Sequence, residues 1–266
     1  MAGQADVMAG SVAIVTGGGT GIGAAVVRAL ARRDVRCVVN YATSREAAEA
    51  LANDVSGRAV QGDVEHDGAC RAVVAATLDA FGRLDFVVNN AGRTKFAAHA
   101  DLDALDAEDF LSLYRINAVG PFQMIRAAAP ELRKSPHGAV VNVASVAGIH
   151  GHGSSVAYAA SKGALVTMTQ SLARALAPDI RINAVAPGYV GTGWFSNRLG
   201  EDGFAAFNRQ VASSVPMALA ATADDIAGPV VNLLDPASRA IAGEVLRIDA
   251  GAHLDVGLSQ RPGRSA

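Results

Sequence analysis

Short β-branched apolar runs alternate with longer Ala-rich segments of helical period along nearly the whole chain. The runs predict strands at about residues 11–16, 35–40, 58–62, 84–89, 138–144, 180–185 and 244–248. Between them, apolar residues recurring every three to four positions predict helices at about 21–33, 44–55, 66–81, 107–133, 156–177 and 223–234. Such alternation is the mark of βαβ units, so the predicted class is α/β with a parallel sheet covered by helices on both faces. No polar or Pro/Gly-rich linker interrupts it and no repeat of fixed period appears, which predicts one domain over residues 11–254. Residues 1–10 and 255–266 read as flexible ends. One segment departs from the pattern. From Gly191 to Pro216 the connection is too long for a tight loop and carries Trp194, Phe195, Phe204 and Phe207, so it reads as a functional or mobile loop, a substrate lid at about 191–216.

Composition narrows the function. The chain has 266 residues, half of them hydrophobic, enough for a large core, and a formal net charge of -2. That balance makes no electrostatic case for nucleic acid or an anionic membrane surface, which leaves small-molecule chemistry. Cys37 and Cys70 lack the paired spacing of a zinc site or a disulfide framework and read as buried free thiols in a reducing compartment. No stretch approaches the roughly 18 apolar residues of a membrane span, and the N-terminus lacks a basic region followed by an apolar run. A soluble, cytoplasmic protein is expected.

The first strand runs directly into Thr16-Gly17-Gly18-Gly19-Thr20-Gly21-Ile22-Gly23 and then into an Ala-rich helix. Phosphate binding needs this order. Gly17 permits a tight turn, Gly21 lets the backbone approach a pyrophosphate, and Gly23 lets the helix pack close with its N-terminus facing the anion. An Asp or Glu about 20 residues on usually holds the ribose hydroxyls in NAD enzymes. Asn40 stands there, followed by Tyr41, Ala42, Thr43, Ser44 and Arg45. With no carboxylate to repel a 2′-phosphate and a guanidinium to bind one, NADP(H) is favoured over NAD(H). Ser44 as a helix cap beside a solvated Arg45 is the alternative. Asp63, before Val64 at the end of the third strand, is placed to meet an adenine amino group or to cap the next helix. Asn89-Asn90-Ala91-Gly92 ends the fourth strand, where its side chains line the cofactor groove or stitch strands together, the structural role being at least equal for Asn89.

Tyr158 and Lys162 are four residues apart, which puts them on one helical face, and Ser145 lies thirteen residues before Tyr158. An ammonium beside a phenol favours the phenolate and lowers its pKa from about 10. When hydride adds to a ketone the oxygen becomes an alkoxide, so hydrogen-bond donors and a proton source are needed at that oxygen. Ser145 and Tyr158 supply them.

Taken with Asn117 and with Pro187-Gly188 followed by Thr192, these motifs make the chain resemble a classical short-chain dehydrogenase/reductase over nearly its whole length, closest to the 3-oxoacyl carrier-protein reductase branch. The resemblance implies a doubly wound Rossmann fold with strand order 3-2-1-4-5-6-7, hydride transfer between nicotinamide and a carbonyl or alcohol carbon, and a homotetramer. It also implies that Lys162 lowers the Tyr158 pKa and holds the nicotinamide ribose, and that Asn117 orients a water linking Lys162 to solvent. The stretch Pro187, Gly188, Val190 and Thr192 would hold the nicotinamide carboxamide. Against an NADP(H)-dependent 3-oxoacyl or general ketone reductase stand an NAD-dependent sugar, polyol or alcohol dehydrogenase of the same family and a cofactor-sensing protein without turnover. His150 and His152, in a glycine-rich stretch, are candidate substrate contacts or a solvated loop, and no carboxylate or Cys nearby completes a metal site. Trp194 and Phe195 either close over substrate or pack their segment onto the body.

Overall fold

The computed structural model describes residues 6–254. Seven parallel strands form one sheet: β1 (Val12–Thr16), β2 (Arg36–Tyr41), β3 (Arg58–Gln61), β4 (Phe86–Asn89), β5 (Ala139–Val143), β6 (Arg181–Pro187) and β7 (Val245–Ile248). Their spatial order is β3-β2-β1-β4-β5-β6-β7, as expected, with the chain reversing direction of travel between β1 and β4. Alternate strand residues feed two cores. On one face Ala13, Val15, Val39, Val88 and Val141 pack with α1 (Gly21–Ala31), α2 (Arg45–Asp54) and α9 (Ala223–Leu234). On the other, Ile14, Val38, Val87, Val140 and Ile182 meet α3 (Asp67–Phe81), α5 (Gly120–Leu132) and α7 (Val156–Leu176). Covering both faces is why these strands are apolar throughout.

Polar residues inside the sheet have specific partners. Asn89 Nδ2 donates to Asn142 Oδ1 at 2.9 Å, and Asn142 Nδ2 donates to Thr169 Oγ1 at 2.9 Å, tying β4, β5 and α7 together. Asn183 Nδ2 donates to the Ile241 carbonyl and its Oδ1 accepts the Glu244 N–H, joining β6 to the approach to β7. Amides so placed fix strand register, while Asn89 Oδ1 is left buried without a hydrogen-bond partner among the described residues. Cys37 and Cys70 are buried free thiols whose pKa values burial pushes up to about 12 and about 11.

The structure departs from the sequence pattern at four places. The stretch expected as one helix over 107–133 is α4 (Ala107–Tyr114), a π turn (Arg115–Val119) and α5, because the Gly120 N–H reaches back to the Arg115 carbonyl and Pro121 has no N–H to continue the regular ladder. The expected loop of 191–216 is largely a helix, α8 (Gly193–Ser214), interrupted at Gly200, whose φ of 67° is left-handed. None of its residues is fully buried, and Gly193, Gly200 and Gly203 interrupt an apolar spacing (Phe195, Leu199, Phe204, Phe207, Val211) that is otherwise helical. Part of the expected loop after Ser145 is a single helical turn, α6 (Ala147–His150). The N-terminal end is not free from residue 6 onward: Met8 is fully buried, and the Asp6 carboxylate takes two hydrogen bonds from Arg33, at 2.6 and 2.7 Å. The expected C-terminal tail at 255–266 lies outside the described residues.

Candidate active site

The carboxyl ends of β1, β4, β5 and β6 open into one cleft of about 1270 Å³. A parallel sheet of this order presents its ligand site there, at the switch point. Gly17, Thr20, Gly21 and Ile22 line one end of the cleft, with Asn90, Ala91 and Gly92 beside them. Gly17 and Gly21 have φ of 60° and 52°, the left-handed region that favours glycine. A Cβ on Gly23 would stand 2.3 Å from the Gly17 carbonyl oxygen, so α1 can begin this close to β1 only with glycine there. The first turn of α1 has no acidic residue and Thr20 makes no side-chain cap, which leaves helix N–H groups for an anion.

Thr16 holds this end together, a role the sequence reading did not assign. Its Oγ1 accepts the N–H groups of Asn90 and Ala91, each at 3.0 Å, while Asn90 Nδ2 donates to the carbonyls of Thr16 and Gly17. A hydroxyl closing a buried apolar strand was the available signal.

Ser145, Tyr158 and Lys162 meet at the floor of the cleft. Ser155 caps α7 by accepting the Tyr158 N–H at 3.2 Å, so the tyrosine sits in the first turn, and Ser145 lines the same cleft. The α6 and α7 backbones approach so closely that a Cβ on Gly148 would fall 2.5 Å from the Lys162 carbonyl carbon. Lys162 is buried, and its Nζ donates to the Val143 carbonyl at the end of β5, 2.8 Å away, while standing 6.0 Å from the Tyr158 ring centre.

The electrostatics differ from the expected pairing. Burial pushes the Tyr158 phenol up to about 12, against the opposing hydrogen bond from Ser145, and pushes Lys162 down to about 8. Both groups are buried, with no carboxylate among the residues lining the cleft, and desolvation is the largest influence on each. The phenol is therefore protonated at neutral pH.

Asn117 lies in the π turn and is fully buried. Its side chain is engaged elsewhere than expected: Oδ1 accepts the Arg93 N–H, and Nδ2 donates to the Arg93 carbonyl and to Ser161 Oγ, all within 3.1 Å. Ser161 in turn donates to the Tyr158 carbonyl at 2.8 Å. The asparagine amide thus clamps the loop after β4 onto α7. Arg93 and Ser161 are further members of this support that sequence reasoning missed.

Pro187, Gly188, Val190 and Thr192 also line the cleft. The Thr192 methyl is 3.7 Å from where a Gly21 Cβ would be, so this strand end faces the glycine turn. Other expected cofactor residues fall outside the cleft. Gly19 is pressed against Ala48 of α2. Asn40 and Tyr41 are buried, the first donating to the carbonyls of Val60 and Gly62, the second in the core, because both lie within β2. Val64 packs beneath Gly120, and its carbonyl accepts from Gln123 Nε2 at 2.8 Å. Asp63 accepts the Glu65 N–H in a local turn, and His66 stands at the α3 N-cap in its place. Ser44 occupies the α2 N-cap without a side-chain cap bond, and Arg45 is exposed, donating to Gln61 Oε1 at 3.2 Å.

Above Tyr158 lies the first turn of α8. The Trp194 ring meets the Tyr158 ring edge to face, with centroids 6.2 Å apart. Phe195 packs with Tyr189, Phe207 and Phe96, which anchors the helix, and both Trp194 and Phe195 line the cleft. His150 and His152 stack at 5.8 Å on the exposed rim, and only His152 reaches the cleft. Among the described residues, no three His, Cys, Asp or Glu side chains converge as metal ligands, and no helix is long and apolar enough to cross a membrane.

Residues 17–253 match the family model described as enoyl-(acyl carrier protein) reductase. The chain is 39% identical over 244 residues to the "Granaticin polyketide synthase putative ketoacyl reductase 2" of Streptomyces violaceoruber, covering 91% of this chain and 96% of that one. It is 33% identical over 247 residues to the 3-oxoacyl-[acyl-carrier-protein] reductase of Synechocystis sp., covering 90% and 96%. A solved structure from Burkholderia xenovorans, described as a "putative short-chain dehydrogenase/reductase", superposes with a TM-score of 0.83 at 37% identity, covering 92% of this chain and 98% of that one. With the strand order, the glycine turn and the Ser145, Tyr158 and Lys162 cluster in one cleft, these likenesses settle the family: the chain belongs to the short-chain dehydrogenases/reductases, nicotinamide-dependent oxidoreductases that act on CH–OH and C=O groups.

Proposed function

We propose that this protein is an NADP(H)-dependent ketone reductase of the 3-oxoacyl type with Tyr158 as its acid and base. The observation that carries the reading is the convergence of Ser145, Tyr158 and Lys162 in the same cleft as the glycine turn. The bound nicotinamide supplies the hydride that forms the new C–H bond at the carbonyl carbon. As the carbonyl π pair moves onto oxygen, the Tyr158 hydroxyl gives up its proton to that oxygen, and the Ser145 hydroxyl donates a hydrogen bond to it. Lys162, still largely protonated at pH 7, stabilises the phenolate left behind and holds the nicotinamide ribose. Asn117 keeps α7 and the loop after β4 in register for this step.

The cradle fits a dinucleotide. Gly17, Gly21 and the open first turn of α1 accept the pyrophosphate, with Thr20, Ile22, Asn90, Ala91 and Gly92 along the groove. Pro187, Gly188, Val190 and Thr192 hold the carboxamide end. At the adenosine end Asn40 replaces the customary carboxylate, and the exposed Arg45 beside Ser44 binds the 2′-phosphate. Two relatives named as ketoacyl or 3-oxoacyl reductases support the substrate class. Phe110, Leu111, Tyr114 and Phe122, left exposed on α4 and α5, support association of like chains.

The test is nicotinamide absorbance with NADPH and NADH separately, against 3-oxoacyl thioesters, small ketones, quinones and sugars. NADPH oxidation with the oxoacyl or ketone class is expected. Sugar oxidation with NAD alone would replace this reading with the polyol dehydrogenase one, and tight cofactor binding without turnover of any compound would favour a sensor.

A further inference from the structure

We infer that the carbonyl substrate carries an anionic group, a carboxylate or a phosphate, several bonds from its reacting carbon, and that Arg198 binds it. The inference rests on the proposal that Tyr158 marks the reacting end of the cleft.

Charge is the first observation. The chain has 25 acidic against 23 basic residues, yet no Asp or Glu lines the cleft, whereas Arg93, Lys162 and Arg198 do. Two of the three cations are already engaged. Arg93 pairs with Glu65 at 2.9 Å, and Lys162 donates to Val143 from a buried position. Arg198 has neither a carboxylate partner nor a hydrogen-bond acceptor among the described residues.

Position is the second. The Arg198 guanidinium lies 4.4 Å from the centre of the Phe96 ring, and Phe96 meets Phe195 edge to face at 6.1 Å. Stacking on a ring orients a guanidinium while leaving its N–H edge free for a planar oxyanion. The segment that carries Phe96 is bound to the rim beyond Tyr158: the Ala97 N–H donates to the Ser154 carbonyl at 2.8 Å, and Thr94 and Ser154 share a hydroxyl hydrogen bond. That rim is distinct from the one formed by the glycine turn, so Arg198 stands on the substrate side.

Reach is the third. Trp194 and Arg198 are four residues apart on α8, before its break at Gly200, and therefore share a helical face about 6 Å apart along the axis. Trp194 meets Tyr158 edge to face, and the Arg198 backbone lies one turn further along α8. An α-oxo acid, with its carboxylate on the neighbouring carbon, does not span that interval. A longer oxo acid or oxo phosphate does.

The chain's single tryptophan provides a readout that needs no turnover. The enzyme saturated with NADP⁺ is titrated with 2-oxobutanoate, 5-oxohexanoate, 7-oxooctanoate and 5-oxohexyl phosphate, and with the methyl ester or free alcohol of each. Trp194 fluorescence and calorimetry report binding, and NADPH oxidation is followed in parallel. At least one of the longer anions should bind about 10-fold to 100-fold more tightly than its neutral counterpart, with 2-oxobutanoate showing no such preference. The ratio should fall to near one in Arg198→Ala and recover in part in Arg198→Lys. The carboxylate and phosphate arms identify which anion is preferred. Equal binding of anions and neutral partners by the wild type, or a ratio unmoved by Arg198→Ala, overturns the inference. Turnover of neutral ketones with no anion preference leaves the reductase standing and removes this inference. Arg198-dependent anion binding without NADPH oxidation does the reverse.

Discussion

Lys162 Nζ donates to the Val143 carbonyl at 2.8 Å and keeps 6.0 Å from the centre of the Tyr158 ring. The end of β5 therefore fixes the amine, and Ser145, not Lys162, is the side chain that draws the phenol pKa down against burial. Burial then sets both protonation equilibria, raising the phenol and lowering the amine. The arrangement stores a charged amine in a dry place, which has a cost that can be measured.

Lys162 has its pKa lowered from 10.5 to about 8 by burial. Below about pH 8 the folded protein bears the full cost of burying the ammonium. As pH rises from about 8 to about 10.5 the folded group is neutral while the unfolded one still binds a proton, so stability rises across that window. Lys162→Met in the cofactor-free protein should remove a cost of about 3 kcal/mol at pH 7. The variant should melt above the wild type at pH 7, with the gap closing by about pH 10.5. Thermal melts at pH 7, 9 and 10.5 check this, and equal melting temperatures at pH 7 would refute it.

Tyr158→Phe removes the proton donor and keeps the ring that packs beneath Trp194. Turnover should fall about 100-fold or more while cofactor affinity persists. Steady-state rates paired with cofactor titration separate the two, and retained activity would remove Tyr158 from the chemistry.

Arg45→Ala should weaken NADPH more than NADH, by about 10-fold, because the lost contact is charge-assisted and made only to the 2′-phosphate. Its present partners, Gln61 and Glu49, are exposed surface contacts, so stability should hardly change. Equal losses for the two cofactors would move the phosphate contact elsewhere.

Gly23→Ala would place a methyl 2.3 Å from the Gly17 carbonyl oxygen and 2.6 Å from Asn90 Nδ2. Since neither backbone nor the Asn90 clamp yields cheaply, a loss of about 1–3 kcal/mol in stability is expected together with weaker binding of both cofactors. Denaturant unfolding and cofactor titration test it. Normal binding by the variant would show that the turn tolerates a shift of α1.

Much of the site was legible because its markers are local. The glycines after β1 follow from the backbone angles and close approach the turn demands, and Tyr158 with Lys162 follows from helical spacing. Asn40 misled because its position by strand count is the strand end facing the ribose, while its amide turns along the sheet to Val60 and Gly62. The lid misled because a helix lying over a cleft carries no buried stripe, and Gly193, Gly200 and Gly203 resemble loop punctuation.

The sequence by itself determined the order of elements, the parallel class of the sheet and the residue types gathered for hydride chemistry, since each depends on neighbours within a turn or a strand. Only the tertiary structure decided that Asn117 clamps Arg93, 24 residues away, that Thr16 holds the loop 74 residues on, and that burial raises the Tyr158 phenol. Those outcomes depend on which groups from distant segments exclude water together, and desolvation is a property of the assembled site that no spacing along the chain encodes.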